Sequence, residues 1–206
     1  MEYRTIAGPV DAEIEISRSR FLARIERAET EAAAREVIAA ARAAHPRARH
    51  HCSAFVLGVD GRVQRSNDDG EPGGTAGAPM LDALVSASLS DVVAVVTRYF
   101  GGVLLGAGGL TRAYRAAVAE AVARATPVTR GLRHEVAVRT SYDIAPQLEA
   151  EARRRGWSVG AAEYTDAVTQ TFLVAEDQLA PLTALAAELS AGSAVVTPGG
   201  SAYVDL

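Results

Sequence analysis

The 206-residue sequence predicts an α+β protein of two domains, a mixed sheet with helices over residues 1–130 and a β-α-β-β-α-β unit over residues 131–206. Three observations lead there. Asp91 to Phe100 (DVVAVVTRYF) is almost continuously apolar and β-branched, as a strand buried on both faces must be, and a glycine loop and a helical spacing follow it. Thr126 to Gly131 (TPVTRG) reads as a linker-like break. The charge balance changes at the same place: residues 1–130 carry 16 arginines against 15 carboxylates, and residues 131–206 carry 5 against 10.

In chain order, Tyr3 to Ala7 is expected as a short strand, and Ala12, Ile14 and Ile16 alternate with Glu13 and Glu15 as in a strand with one wet face. Phe21, Ala23 and Ile25 oppose Arg20, Arg24 and Glu26 in another. Thr30 is the expected N-cap of a helix through Ala44, with Ala34, Val37, Ile38 and Ala41 on its buried stripe and Pro46 ending it. His51 to Val59 reads as a strand, Asp60-Gly61 as a hairpin turn and Arg62 to Arg65 as the return strand. Ser66 to Pro79 (SNDDGEPGGTAGAP) is too rich in Gly, Pro and Asp to be regular, and loops of such length tend to be functional or disordered. A short helix from Met80 to Leu89 delivers the chain to the buried strand, and Leu110 to Arg124 forms the helix after the glycine loop. Beyond the break come a strand from His134 to Thr140, a helix from Asp143 to Arg155 with Pro146 in its first turn, and a hairpin of Trp157 to Tyr164 and Ala167 to Val174. A helix from Asp177 to Leu189 and a strand from Ser201 to Leu206 complete the order of a ferredoxin-like split unit.

Composition excludes several function classes. Every basic residue other than histidine is arginine, so a lysine-dependent phosphate loop and a Schiff-base lysine are both excluded. A single cysteine, Cys52, allows no intrachain disulfide. No apolar run reaches the roughly 20 residues of a membrane span, and the first ten residues lack the blocks of a signal peptide, so a cytoplasmic location and no membrane partner are expected. The net charge of -4 is far from that of a dedicated nucleic-acid binder, and no DNA specificity is evident.

The candidate site lies on two loops. Arg98 to Tyr114 (RYFGGVLLGAGGLTRAY) carries Gly101, Gly102, Gly106, Gly108 and Gly109, with Arg98, Arg112 and Arg115 framing them. Backbone N–H groups at a helix start, joined by arginines, suit the phosphate of RNA, a nucleotide or a metabolite. The dinucleotide fingerprint fails, because Thr111 occupies its sixth position and no acidic residue follows at the right distance. Asp68, Asp69 and Glu71 in the other loop could hold magnesium, build local turns, or pair with arginines; Arg98, a charge in an apolar strand, needs such a partner. No metal and no cofactor are assigned. His50 is the histidine expected to face the acidic loop, while His51 and Cys52 point to opposite faces and cannot share a ligand, and the thiol reads as inert packing.

The strings SNDDGEPGGTAGAPML from Ser66 and VVAVVTRYFGGVLLGAGGLTRAY from Val92 resemble the signature of the IMPACT (YigZ, UPF0029) family. Ser19-Arg20-Phe21 and His50-His51-Cys52 are similar to its earlier segments, so the likeness covers most of residues 17–122, and residues 134–206 resemble in placement the C-terminal domain of bacterial members. The resemblance implies a first domain of the ribosomal-protein and elongation-factor domain IV type and a second like elongation-factor domain V. It also implies a place in translation: eukaryotic relatives bind the scaffold that activates an amino-acid-starvation kinase through a further N-terminal domain, which is not expected in these 206 residues. The leading expectation is a translation-associated regulatory or binding protein whose partner is RNA, the ribosome or a translation-related protein, met in a groove between residues 66–79 and 98–115. The alternatives are an enzyme acting on a small phosphorylated substrate with magnesium in the acidic loop, and a protein-interaction module.

Overall fold

Val92 to Arg98 are buried without interruption, and this makes β6 (Val92–Tyr99) the middle strand of the first sheet. The computed structural model describes residues 2–206, which fall into two units, one through Thr129 and the other Arg130–Leu206. In the first unit β2 (Val10–Ile16), β3 (Ser19–Arg27), β6, β4 (His50–Leu57) and β5 (Val63–Asn67) lie in that order, every neighbour antiparallel. The period-2 alternation of a strand sends Val92, Ala94 and Val96 to one face, where α2 (Gly77–Ser86) and α3 (Gly106–Arg124) cover them. It sends Val93 and Val95 to the other, where α1 (Glu31–Ala44) packs with Ala34, Val37 and Ile38. Thr30 caps α1 as the sequence indicates, its hydroxyl accepting from the Ala33 N–H at 3.1 Å. The short β1 (Glu2–Ile6) is pinned to the turn before β6 by hydrogen bonds from Tyr3 and Thr5 to Asp91.

The second unit runs β7 (Pro127–Thr140), α4 (Ala145–Arg154), β8 (Ser158–Tyr164), β9 (Val168–Val174), α5 (Leu179–Leu189) and β10 (Val195–Asp205), with a 3-10 turn at Glu176–Gln178. β9 lies between β8 and β7, and β10 pairs with β7, all antiparallel. Val136, Val138, Phe172 and Val174 of the sheet pack against Leu148 of α4 and Leu182 and Leu185 of α5, with Trp157 among them. The molecule is therefore an α+β protein with two antiparallel sheets.

Four elements begin elsewhere than expected, and the first sheet, expected as a mixed one, is antiparallel throughout. The linker expected at Thr126–Gly131 is the beginning of β7, because Gly131 and Arg130 sit in register with Val204 and Asp205 of β10 and the Arg130 side chain donates to the Tyr203 carbonyl at 2.6 Å. β10 itself starts at Val195, six residues early, its Pro198 and glycines absorbed by a bulge between Pro198 and Ser201. α2 and α3 begin at Gly77 and Gly106, inside segments read as loop, since glycine weakens helix propensity without forbidding the first turn. Among the described residues no helix is long and apolar enough to cross a membrane.

Candidate functional site

Register brings the two sequence loops to one end of the first sheet. His50 at the start of β4 opposes Arg98 near the end of β6, and Arg20 near the start of β3 opposes Tyr99. The same end therefore carries the β2–β3 turn at Ser17-Arg18, the acidic loop after β5 and the glycine loop after β6.

Each acidic-loop carboxylate already has partners. Asp68 accepts from the backbone N–H groups of Gly74, Ala76 and Gly77 at 2.8, 3.0 and 2.8 Å, and so satisfies donors at the start of α2. Partial burial opposes its charge, but the Gly74, Gly77 and Ala76 N–H groups outweigh that and hold its pKa below the ordinary aspartate value. Asp69 accepts from Arg42 of α1 at 2.5 Å and from the His51 N–H at 2.7 Å, and its pKa is likewise lowered, burial being outweighed by these two bonds. Its carbonyl lies 2.9 Å from His50 Nδ1, so His50 does face the acidic loop. Among the described residues no three His, Cys, Asp or Glu side chains are grouped to hold a metal ion.

Glu71 is the partner of Arg98. Arg98 Nη1 donates to Glu71 Oε1 at 2.7 Å with both side chains almost wholly buried, and the Tyr114 hydroxyl of α3 donates to the same oxygen at 2.7 Å. The guanidinium also stacks over Phe21 and Phe100, 5.4 and 5.6 Å from the ring centroids, and Phe21 meets Tyr114 edge-on at 5.2 Å. One nitrogen, Arg98 Nε, is buried without a hydrogen bond. Burial, helped by the neighbouring Cys52 and Glu71, raises the Tyr114 pKa far above its ordinary value, which keeps the phenol a donor. Ser19 closes the cluster, its hydroxyl 3.1 Å from the Gly101 N–H and 3.4 Å from Arg98 Nη2. Gly101 lies so close to the β2–β3 turn that a Cβ built on it would fall 2.0 Å from the Arg18 carbonyl carbon.

The remaining glycine-loop candidates are surface groups. Gly102, Gly106 and Gly108 are exposed and Gly109 half-buried, and Gly106 opens α3 at φ 67°, a conformation that favours glycine. No side chain caps the start of α3. Arg112 and Arg115 part company: Arg115 pairs with Asp82 of α2, whereas Arg112 is exposed and has no partner among the described residues. Three further arginines at this end, Arg18, Arg47 and Arg49, are exposed and make no hydrogen bond or ion pair among the described residues. Arg47 lines a hollow of ≈ 440 Å³ together with Arg20, Leu22, His45 and Tyr99. The larger hollow, ≈ 890 Å³, lies between α1 and the β2–β3 face, where Arg24 is already paired with Asp11 and Glu26.

Residues 17–122 match the Impact N-terminal domain, and residues 138–193 match a domain of unknown function, DUF1949. The IMPACT family member YvyE of Bacillus subtilis (strain 168) is 37% identical over 203 residues, covering 98% of this chain and 94% of that protein. The chain belongs to the IMPACT family. A second IMPACT family member, YigZ of Escherichia coli (strain K12), is 35% identical over 189 residues, covering 91% of this chain and 93% of its own. A solved structure described as the crystal structure of an hypothetical protein superposes with a TM-score of 0.66 at 34% identity, covering 95% of this chain and 96% of that chain. Both loops and the Ser19–Arg98–Gly101 contacts fall inside the matched IMPACT segment.

Sequence reasoning passed over Arg18, Arg47, Arg49 and Phe100. The signal for two of them was the run ARAAHPRARH from Ala41, where three arginines and two histidines occur without a carboxylate. Cys52, by contrast, is fully buried, its Sγ 3.0 Å from the Asp68 carbonyl, and burial pushes its pKa up to about 12. A thiol reagent at neutral pH is expected to leave Cys52 unmodified in the folded protein and to label it on denaturation. Labelling of the native protein at the rate of a free thiol would contradict this burial.

Proposed function

We propose that this IMPACT family protein is a translation-associated binding protein that contacts RNA phosphate through the end of its first sheet. One observation carries the reading: Asp68, Asp69 and Glu71 are all consumed by internal partners, while Arg18, Arg47, Arg49 and Arg112 at the same end have none among the described residues. The loops thus supply rigidity, and the outward charge of this end is positive despite a net charge of -4 for the whole chain. Magnesium in the acidic loop finds no support in the geometry, since a cation would have to displace two or three short hydrogen bonds from each carboxylate. A first domain of the ribosomal-protein and elongation-factor domain IV type, and a ferredoxin-like second domain akin to elongation-factor domain V, are supported by family membership and by the strand order β10-β7-β9-β8.

Ribosome co-sedimentation and RNA-binding titrations at low salt test it. The full chain is expected to bind, and the triple variant Arg47→Ala, Arg49→Ala, Arg112→Ala to lose at least about tenfold in affinity, with a slope against log salt shallower by about 2. Unchanged affinity and slope in that variant would remove RNA phosphate as the ligand of this surface.

A further inference from the structure

We infer that Phe100 is a stacking platform for one unpaired base of a single-stranded RNA, flanked by arginines that hold the adjoining phosphates; this rests on the RNA reading above. Phe100 is 55% exposed in a loop where Val103 and Leu104 are exposed as well, so its ring belongs to an apolar patch rather than standing alone. Its position is fixed from behind. The Arg98 guanidinium lies 5.6 Å from its ring centroid and is itself locked to Glu71 at 2.7 Å. The next residue, Gly101, is held against the β2–β3 turn by its bond to Ser19. A ring supported by a cation and anchored on its C-terminal side loses little freedom when a base stacks on it, and an aromatic face accepts any base.

The surroundings select the ligand. Arg18 lies in the turn against which Gly101 packs, and Arg49 precedes His50, which opposes Arg98 across the β4–β6 ladder. Arg112 stands on the exposed side of α3, the helix into which the Phe100 loop runs. Among the described residues all three lack partners. An apolar ring among unpartnered guanidinium groups matches a polymer that alternates flat apolar bases with phosphates. Duplex RNA cannot use the ring, because its bases are stacked on each other. Leu104, 87% exposed in the same loop, is the contrast, since an aliphatic side chain offers apolar surface but no stacking face.

The test is fluorescence anisotropy of the full chain with an unstructured single-stranded RNA and with a blunt RNA duplex of equal length. Phe100→Ala is expected to weaken single-strand binding about tenfold and to leave duplex binding nearly unchanged. Phe100→Trp should retain single-strand affinity, and Phe100→Leu, apolar but without a π face, should behave as Phe100→Ala. Unfolding midpoints equal to that of the unmodified chain would confirm that each variant is folded. The platform is overturned if Phe100→Leu binds like the unmodified protein, or if duplex affinity falls as far as single-strand affinity. It is also overturned if Leu104→Ser costs as much as Phe100→Ala, which would mean that apolar surface of the loop, and not the ring face, sets the affinity. If the arginine variant loses both RNAs while Phe100→Ala loses neither, the platform fails and the phosphate reading stands; if the unmodified chain binds neither RNA, the phosphate reading falls first.

Discussion

Replacing Glu71 with alanine is expected to destabilise the first unit by about 3–5 kcal/mol, because it strands the Arg98 guanidinium in the interior without its counter-charge. The Tyr114 hydroxyl loses its acceptor in the same step, leaving a second buried polar group unsatisfied. The double variant Glu71→Ala, Arg98→Met is expected to recover the share of the loss due to the stranded charge, while the Tyr114 hydroxyl still lacks its acceptor and keeps the rest. Urea unfolding of the single and double variants checks both statements through the midpoint at unchanged slope. A loss under about 1 kcal/mol for Glu71→Ala would mean that water reaches Arg98 and that the pair is not desolvated.

The second large effect is expected at Gly101. In Gly101→Ala the new methyl would lie 2.0 Å from the Arg18 carbonyl carbon and 2.4 Å from the Ser19 nitrogen, both backbone atoms that no rotamer change can move aside. The glycine loop must then separate from the β2–β3 turn, breaking the Gly101 N–H bond to Ser19. A cost of about 3 kcal/mol or more follows from overpacking against rigid backbone together with the lost bond. Thermal unfolding measures it, and a midpoint within a degree of the unmodified protein would show that the turn yields freely. Gly108→Ala is the control, because its Cβ would meet only the flexible tip of Arg112 at 3.5 Å.

What could be read in the sequence was whatever is encoded locally. The β-branched run of β6 announces burial on both faces, and Thr30 with Pro46 brackets α1. The start of α3 was hidden because four of its first residues, Gly106, Ala107, Gly108 and Gly109, include three that disfavour helix, and only tertiary packing of Leu110 and Tyr114 overrides them. β10 begins earlier than its pattern suggests because it pairs with β7, a strand distant in sequence, and the early part of β7 is likewise held by strand pairing rather than by its own pattern. At the site, the need of Arg98 for a carboxylate was legible from one buried charge in an apolar strand. The choice of Glu71 over Asp68 and Asp69 was not, since it depends on which carboxylates the α2 backbone and Arg42 claim first. The unpartnered arginines were illegible for a related reason, as a free charge differs from a paired one only through neighbours that the fold supplies.

The two helices beside the site treat their positive ends differently. α2 begins under a carboxylate tethered to its own chain, so that Asp68 is in effect a resident anion, and solution phosphate would have to evict a covalently attached competitor of high local concentration. α3 begins in three glycines and an alanine with no side-chain cap, and its end of the dipole is open to solvent. One helix start is capped from within and the other has no side-chain cap. Of the two, only α3 offers an anion from outside the chain anything that Asp68 has not already taken.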